Sequence, residues 1–348
     1  MAKNHTSASN KPKRHHFLPE FYLNGFTGGN VVWVYDREKN EYRPQGPHNT
    51  AVIGHYNTVL GTDGKAYLGF EKLLSQAESD AKPVIDKLGI GEMITPEERH
   101  NLALFVVLLL TRTPKFEREM EQVADCTAKL LMKRMFPTVE AVVAGLRRYG
   151  KKGEDLTPES MFEFIHKEQF QMKGNRNVTV HAMLDLTEKF TLEFACMDWS
   201  IVHVDERAAF ITTDSPLGFI VPDELQGRPD LDLSLLSQNT TKVVPLTKRM
   251  ALLVGERGCG FGHFAVDRAV VREINIALAI ECERYVIGAN ESLVRSIVRR
   301  GKVDTTKPGS RIRVEHIPHP TDPMRTFLVT RRVAADASNE PLRISVGQ

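Results

Sequence analysis

The sequence predicts an α+β fold, in which a central helical bundle packs with a mixed or antiparallel β-sheet built from N-terminal and C-terminal strands. Apolar residues recur with helical spacing between about residues 68 and 194, and short runs of β-branched and aromatic residues lie on both sides of that stretch. A chain of 348 residues, 41% of them hydrophobic, has enough apolar side chains for one large core or two modest ones.

The N-terminal part is predicted to be a tail followed by a hairpin. Residues 1–13 are polar and small, so we expect a disordered tail. Residues 31–35, Val-Val-Trp-Val-Tyr, follow a Gly-Gly-Asn turn and indicate one arm of a hairpin, with a short second arm near Tyr42. We expect the α+β domain to cover residues 14–300, followed by a basic C-terminal extension over residues 301–348.

The central helices are predicted from their first residues and their apolar stripes. One helix begins near Leu68 and has Pro83 near its end. Residues 95–98 combine a capping Thr, a first-turn Pro and a capping-box Glu, so the next helix should run to about Thr111. Pro114 separates it from an amphipathic helix that extends towards Met135. Further helices are predicted from residue 157 and over about residues 180–194.

The C-terminal part of the domain is predicted to return to strands. Residues 199–204 and 210–213 indicate two strands joined at residues 205–208, and residues 242–245 and 250–254 indicate two more. The glycine-rich residues 255–262 lack the Gly-Lys-Ser/Thr ending of a phosphate loop, so we expect a flexible hairpin there. A helix over residues 267–283, a strand over 285–288 and a short helix capped by Asn290 complete the domain.

Cysteine spacing and hydropathy indicate the cellular compartment of the protein. The four cysteines lie far apart without a Cys-x-x-Cys pair, which argues against a zinc ribbon or a disulfide framework and favours a reducing compartment. The longest apolar run, residues 102–110, is about half of the ~20 residues that a membrane helix needs. The first apolar cluster lacks the unbroken core of a secretory signal. We therefore expect a soluble, cytoplasmic protein without a membrane partner.

Several short motifs occur in a particular order. Residues 15–26 read His-His-Phe-Leu-Pro-Glu-Phe-Tyr-Leu-Asn-Gly-Phe, and Thr-Arg-x-Pro, Thr-Asp-x-Pro and Pro-Leu-Thr follow at residues 111–114, 213–216 and 245–247. Asn275 comes about ten residues before an apolar strand. With these landmarks the chain resembles the family catalogued as domain of unknown function 4238, from about His15 to Leu293. That resemblance implies no established reaction, so candidate functions depend on the residues themselves.

Two of the landmarks carry groups capable of acid–base or metal chemistry. His15 and His16 are adjacent imidazoles that can bind a metal ion or transfer protons, or they can simply form the polar start of an apolar anchor. In an extended segment the two side chains face opposite ways. Asp214 follows a strongly apolar strand and begins a turn, which suits a catalytic acid as well as an Asp that binds the backbone of its own turn.

Three further polar groups are predicted at helix positions. Arg112 ends an apolar helix, so its guanidinium should be partly inside and paired with a carboxylate or a bound phosphate. Glu71 and Glu78, seven residues apart, should share a helix face and either flank a site or be solvated. Asn275 lies on an apolar helix face, which predicts a buried hydrogen bond that holds a neighbouring loop.

These residues leave two functions open. The preferred hypothesis is a hydrolase acting on phosphodiesters, with His15, His16, Glu71 and Asp214 as ligands of a divalent cation such as Mg²⁺ or Mn²⁺. Asp214, His16 and Arg112 would then be its catalytic residues. The alternative is a non-enzymatic module that binds nucleic acid or another protein, with the basic ends of the chain attracting a polyanion.

Overall fold

The computed structural model of the protein describes residues 14–54, 69–149, 157–172, 176–225, 234–258, 260–303, 310–318 and 326–334. It confirms the α+β class. The helices are Glu20–Asn24 (α1), Gly69–Gly89 (α2), Pro96–Thr111 (α3), Pro114–Met135 (α4), Val139–Tyr149 (α5), Pro158–His166 (α6), Arg176–Ala195 (α7), Arg268–Ile280 (α8) and Glu291–Arg300 (α9). The strands are Arg14–His16 (β1), Val32–Asp36 (β2), Glu41–Gln45 (β3), Val52–Gly54 (β4), Met197–His203 (β5), Thr212–Thr213 (β6), Gly218–Ile220 (β7), Thr241–Thr247 (β8), Met250–Arg257 (β9), Phe261–Ala265 (β10), Tyr285–Gly288 (β11), Ser310–Pro318 (β12) and Thr326–Ala334 (β13).

The helix starts follow the sequence closely. Thr95 accepts a hydrogen bond from the Glu98 amide, and the Glu98 carboxylate accepts one from the Thr95 amide, so the predicted capping box is present. Thr113 caps α4 in the same way at the Phe116 amide, and Thr157 caps α6. Local side-chain chemistry therefore fixes where the central helices begin. The sequence did not predict α5.

The expectation that α2 ends near Pro83 is wrong. The helix continues through Pro83 to residue 89, although the proline removes one backbone hydrogen bond. Pro83 itself is exposed, whereas the residues that follow it on the inward face, Val84, Ile85 and Leu88, are buried in the main core. Burial of these side chains outweighs the local cost of the proline.

One sheet joins the two ends of the domain. Its strand order is β3-β2-β11-β6, so the predicted N-terminal hairpin β2–β3 pairs with a C-terminal strand. Strand β11 is antiparallel to both of its neighbours, β2 and β6. The prediction of a sheet built from N-terminal and C-terminal strands is confirmed here.

A second sheet has the order β10-β5-β9-β8-β7 and is mixed, because β10 runs parallel to β5. The two predicted strands at residues 199–204 and 210–213 belong to different sheets: the first lies in this sheet and the second in the sheet that contains β11. Between them, the Phe210 amide donates to the carbonyl of Lys248, in the turn between β8 and β9.

The glycine-rich residues 255–262 do not form the expected hairpin either. The chain crosses from β9 to the far side of β5, and the Gly260 amide donates to the Asp198 carboxylate on the way. A Cβ atom at Gly258 or Gly260 would lie 2.5 or 2.6 Å from that carboxylate. These glycines therefore allow the backbone to approach Asp198 closely.

The mixed sheet separates two cores, because successive side chains of a strand point to opposite faces. Ile201 of β5 lies in the larger core with Phe105 of α3, and Val202 lies in the second core with Leu278 of α8. No helix that the structure describes is long and apolar enough to cross a membrane. The predicted tail, residues 1–13, is outside the described residues, and residues 310–318 and 326–334 of the C-terminal extension form the antiparallel pair β12–β13.

Candidate functional site

The opening motif places a tyrosine against the landmark at residues 245–247 and against Thr212, which directly precedes a third landmark. Tyr22 is buried, and its hydroxyl lies 2.8 Å from the carbonyl oxygen of Pro245 and 2.7 Å from the hydroxyl oxygen of Thr212. The carbonyl can only accept, so the Tyr22 hydroxyl donates to Pro245 and accepts from Thr212. Burial raises the pKa of Tyr22 above its ordinary value, which keeps this donor protonated.

Asp214 is bound by the backbone of residues 281–284, the segment between α8 and β11 that we call the α8–β11 junction. One carboxylate oxygen accepts from the Glu283 amide at 3.0 Å and the other from the Arg284 amide at 2.6 Å. Burial raises the pKa of Asp214 to about 6, although these amide bonds oppose the shift. The contacts show that Asp214 ties the strand end at β6 to the start of β11.

The same junction also holds the first turn of α4. Lys115 donates to the carboxylate of Glu281 at 2.6 Å and to its carbonyl oxygen at 2.8 Å, and both residues are buried. Arg118 forms two hydrogen bonds with the Glu283 carboxylate, at 2.8 and 2.7 Å. Burial raises the pKa of the Cys282 thiol to about 12, so this cysteine is unsuited to act as a nucleophile.

A second polar group lies along one face of α2. The Nε2 atom of His15 is 3.4 Å from the Oε1 atom of Glu71, and Arg112 donates to the Oε1 atom of Glu78 at 2.7 Å. We call these four residues the α2 face. Glu71 and Glu78 are about 10 Å apart along the helix axis, since seven residues rise 1.5 Å each.

The two glutamates occupy inward positions of the helix. They share a stripe with Leu74, which is buried, so the α2 face lies beside an apolar core rather than on an open surface. The side chains of His15 and Arg112 are 4% and 3% exposed, whereas those of Glu71 and Glu78 are 29% and 30% exposed. The carboxylates therefore reach solvent while the nitrogen groups behind them are buried.

The predicted site residues fall into separate places. At the α2 face His15 pairs with Glu71, and Arg112 pairs separately with Glu78, which the sequence had placed on the same helix face as Glu71. The imidazole of His16 is 3.1 Å from the carbonyl oxygen of His48 instead. Asp214 binds the α8–β11 junction, and none of the hydrogen bonds given above joins it to His16 or Arg112.

Metal-binding groups are sparse in the part of the chain that the structure describes. It contains no cluster of three or more His, Cys, Asp or Glu side chains arranged to hold a metal ion. At the α2 face, His15 and Glu71 are one nitrogen and one carboxylate ligand of types that Mn²⁺ accepts, and Mg²⁺ is commonly held by one or two carboxylates with water in the other positions.

Asn275 behaves as its sequence context predicts. Its side-chain oxygen accepts from the Ile211 amide and its side-chain nitrogen donates to the Ala209 carbonyl, both at 2.9 Å. The pair formed by Lys115 and Glu281 was not predicted. Lys115 follows the Thr-Arg-x-Pro landmark, but nothing in its local sequence indicates that a lysine in the first turn of α4 is buried.

The architecture defines an α+β domain in which a mixed sheet separates two cores and short landmark motifs meet at polar junctions. A protein-family model matches most of the chain. The chain belongs to the family described as a protein of unknown function, DUF4238, whose model matches residues 14–292. No curated protein and no solved structure matches the chain.

Proposed function

We propose that this protein is a metal-dependent hydrolase acting on phosphodiesters, with its reaction centre at the α2 face. The observation that carries the proposal is the pairing of His15 with Glu71 and of Arg112 with Glu78 on one inward stripe of α2. An arginine as buried as Arg112, whose side chain is 3% exposed, is rarely found without a paired anion. Here the pairing leaves carboxylate oxygens accessible to solvent, where a cation and an anionic substrate can reach them.

Each residue of the α2 face has a distinct role in this proposal. His15 and Glu71 are ligands of a divalent cation, Mg²⁺ or Mn²⁺, with water in the remaining positions. The cation makes a bound water more acidic and stabilises negative charge on the phosphate. Arg112, whose guanidinium is buried and held by Glu78, supplies positive charge that stabilises the phosphate.

Asp214 and His16 have supporting places in the proposal. We propose positioning roles for both, in place of the catalytic roles expected from the sequence. The two backbone amides that bind the Asp214 carboxylate support a positioning role, because they occupy both of its oxygens. The imidazole of His16 lies within hydrogen-bond distance of the His48 carbonyl. This contact supports a role for His16 in holding β1 against the segment before β4.

Nucleic acid is the substrate class that the charge distribution favours. The last turn of α9 presents Arg299 and Arg300 to solvent, and Lys3, Lys11 and Lys13 lie near the start of the sequence. Such groups attract a polyanion through the displacement of counterions. The same observation favours the alternative function, a module that binds nucleic acid without cleaving it. We propose the cytoplasm as the compartment, since Cys126 and Cys282 are free thiols.

The experiment that separates these functions measures binding and cleavage on the same substrates. Purified protein is mixed with labelled single-stranded and double-stranded RNA and DNA in Mg²⁺, in Mn²⁺ and in chelator. The proposal predicts metal-dependent cleavage that Glu71→Gln and His15→Gln abolish. Asp80→Asn is the matched control, because Asp80 is a carboxylate on the opposite side of α2 that accepts from Gln76.

Two results would contradict the hydrolase. Binding without cleavage in any metal would establish the non-enzymatic module. Cleavage that Glu71→Gln and His15→Gln leave unchanged would place the reaction centre elsewhere in the chain.

A further inference from the structure

Two histidines face each other on neighbouring strands of the mixed sheet, and neither strand contributes a residue to the α2 face. The Nε2 atom of His203 on β5 lies 2.9 Å from the Nδ1 atom of His263 on β10. These strands are parallel, with His263 opposite Ile201 and His203 opposite Ala265, so both imidazoles emerge from the same face of the sheet. The backbone of two paired strands therefore holds the rings in position.

The hydrogen bonds assign the tautomer of each ring. The Nε2 atom of His263 is 3.1 Å from the carbonyl oxygen of Glu92, which can only accept, so this nitrogen carries a hydrogen. A neutral His263 then presents the lone pair of Nδ1 to His203. The bond from one ring nitrogen to a backbone carbonyl is the arrangement that orients metal-binding histidines, leaving the other nitrogen available as a ligand.

We propose that His203 and His263 bind a transition-metal dication of the kind that prefers imidazole ligands, such as Zn²⁺, Ni²⁺ or Cu²⁺. The two ligand atoms are Nε2 of His203 and Nδ1 of His263. The hydrogen that His203 shares with His263 moves to the other nitrogen of the His203 ring, so two neutral imidazoles hold the metal without net release of a proton.

The distance between the nitrogens is close to what such a metal requires. Two nitrogens at 2.0–2.1 Å from a tetrahedral Zn²⁺ are about 3.3 Å apart. The rings therefore need to separate by about 0.4 Å, which a small rotation of either side chain supplies. The paired strands already hold both residues in place. Metal binding therefore costs little conformational entropy.

The surroundings favour neutral imidazoles. Both rings are half-buried, and the ring of Phe261 lies edge-on to His263 at 5.4 Å. Metal binding needs unprotonated rings, and partial burial disfavours the charged form of an imidazole. Within the described residues no third His, Cys, Asp or Glu completes a cluster here, so water fills the other positions and the ion is exchangeable.

The test is a Zn²⁺ titration of the full chain by calorimetry at pH 7.5, repeated with His203→Gln and His263→Gln. His100→Gln is the matched control, since His100 is an exposed histidine on α3. The wild type and His100→Gln should each bind one more equivalent of Zn²⁺ than the two variants. They should also gain thermal stability from Zn²⁺ that His203→Gln does not gain.

In His203→Gln the glutamine amide can still donate to Nδ1 of His263, so the variant should fold. The circular dichroism spectrum of the variant reports whether it does. Equal Zn²⁺ binding by the wild type and a folded His203→Gln would overturn the proposal. The inference does not depend on the hydrolase: phosphodiester cleavage in Mg²⁺ or Mn²⁺, if present, should be the same in His203→Gln and the wild type.

Discussion

The α2 face and the α8–β11 junction both place a buried nitrogen group against a carboxylate, but they differ in what surrounds that carboxylate. At the junction, Glu281 and Lys115 are 7% and 2% exposed, and backbone groups complete the hydrogen bonds of both Lys115 and Asp214. At the α2 face, the side chains of Glu71 and Glu78 are 29% and 30% exposed. One region is closed by the protein itself, and the other remains open to a ligand.

This difference indicates that the ion pairs of one chain can serve different purposes. A buried pair whose remaining hydrogen bonds go to the backbone specifies how segments join, because nothing else can satisfy those groups. A pair with a solvent-facing carboxylate can exchange its partner for a cation or a substrate at low cost. Mutations should therefore act mainly on folding at the junction and mainly on function at the α2 face.

The largest effect on stability should come from Lys115→Met. This change leaves the Glu281 carboxylate buried without its cation, which typically costs about 3–5 kcal/mol of unfolding free energy. Urea denaturation measures the loss, and the double variant Lys115→Met with Glu281→Leu should recover part of it. A loss below about 1 kcal/mol would mean that the junction is not closed as the comparison requires.

Asp214→Asn should have a smaller effect that depends on pH. The amide can accept from one of the two backbone amides but not from both, which costs about 1–3 kcal/mol at pH 7.5. Because burial raises the pKa of Asp214 from 3.8 to about 6, the folded protein takes up a proton there as the pH falls from 7.5 to 5, and the unfolded chain does not.

Protonated Asp214 therefore stabilises the wild type at pH 5 by about 1.4 kcal/mol relative to pH 7.5, a contribution lost as the pH rises through 6. Asparagine lacks this contribution, so the cost of Asp214→Asn should be larger at pH 5 than at pH 7.5. Urea denaturation of both proteins at the two pH values measures the difference. An equal cost at both would contradict the raised pKa.

Glu78→Gln should have the smallest effect on folding. Its side chain is 30% exposed and a glutamine can still accept from Arg112, so we expect a loss of about 1 kcal/mol. Asp80→Asn on the same helix serves as the control and should change stability by less than about 0.5 kcal/mol. A loss from Glu78→Gln as large as that from Lys115→Met would remove the distinction between the two regions.

Local features of the fold were predictable from the sequence because their causes are local. The capping box at Thr95, the cap at Asn290 and the hairpin β2–β3 each depend on residues within a few positions of one another. The predictions fail where a distant contact decides. Helix α2 passes through Pro83 because Val84 and Leu88 are buried by other elements, which the helix sequence does not reveal.

The candidate site shows the same limit. The sequence identified His15, Glu71 and Arg112 by residue type and position, but their partners are set by the packing of β1, α2 and α3. Lys115 and Glu281 are 166 residues apart, so neither sequence neighbourhood indicates the other. The turn at Asp214 was predictable as a turn, whereas its binding to residues 283 and 284 required the fold.

The most direct test compares Glu71→Gln with Asp214→Asn in one cleavage assay with Mn²⁺, each rate divided by the fraction of protein that is folded. Loss of a metal ligand should reduce cleavage by Glu71→Gln at least about 100-fold while its stability stays near that of the wild type. Asp214→Asn should lose stability but keep its rate per folded molecule within about threefold of the wild type. The reverse pattern, with Asp214→Asn folded but inactive and Glu71→Gln active, would contradict the assignment of function to the α2 face and of folding to the α8–β11 junction.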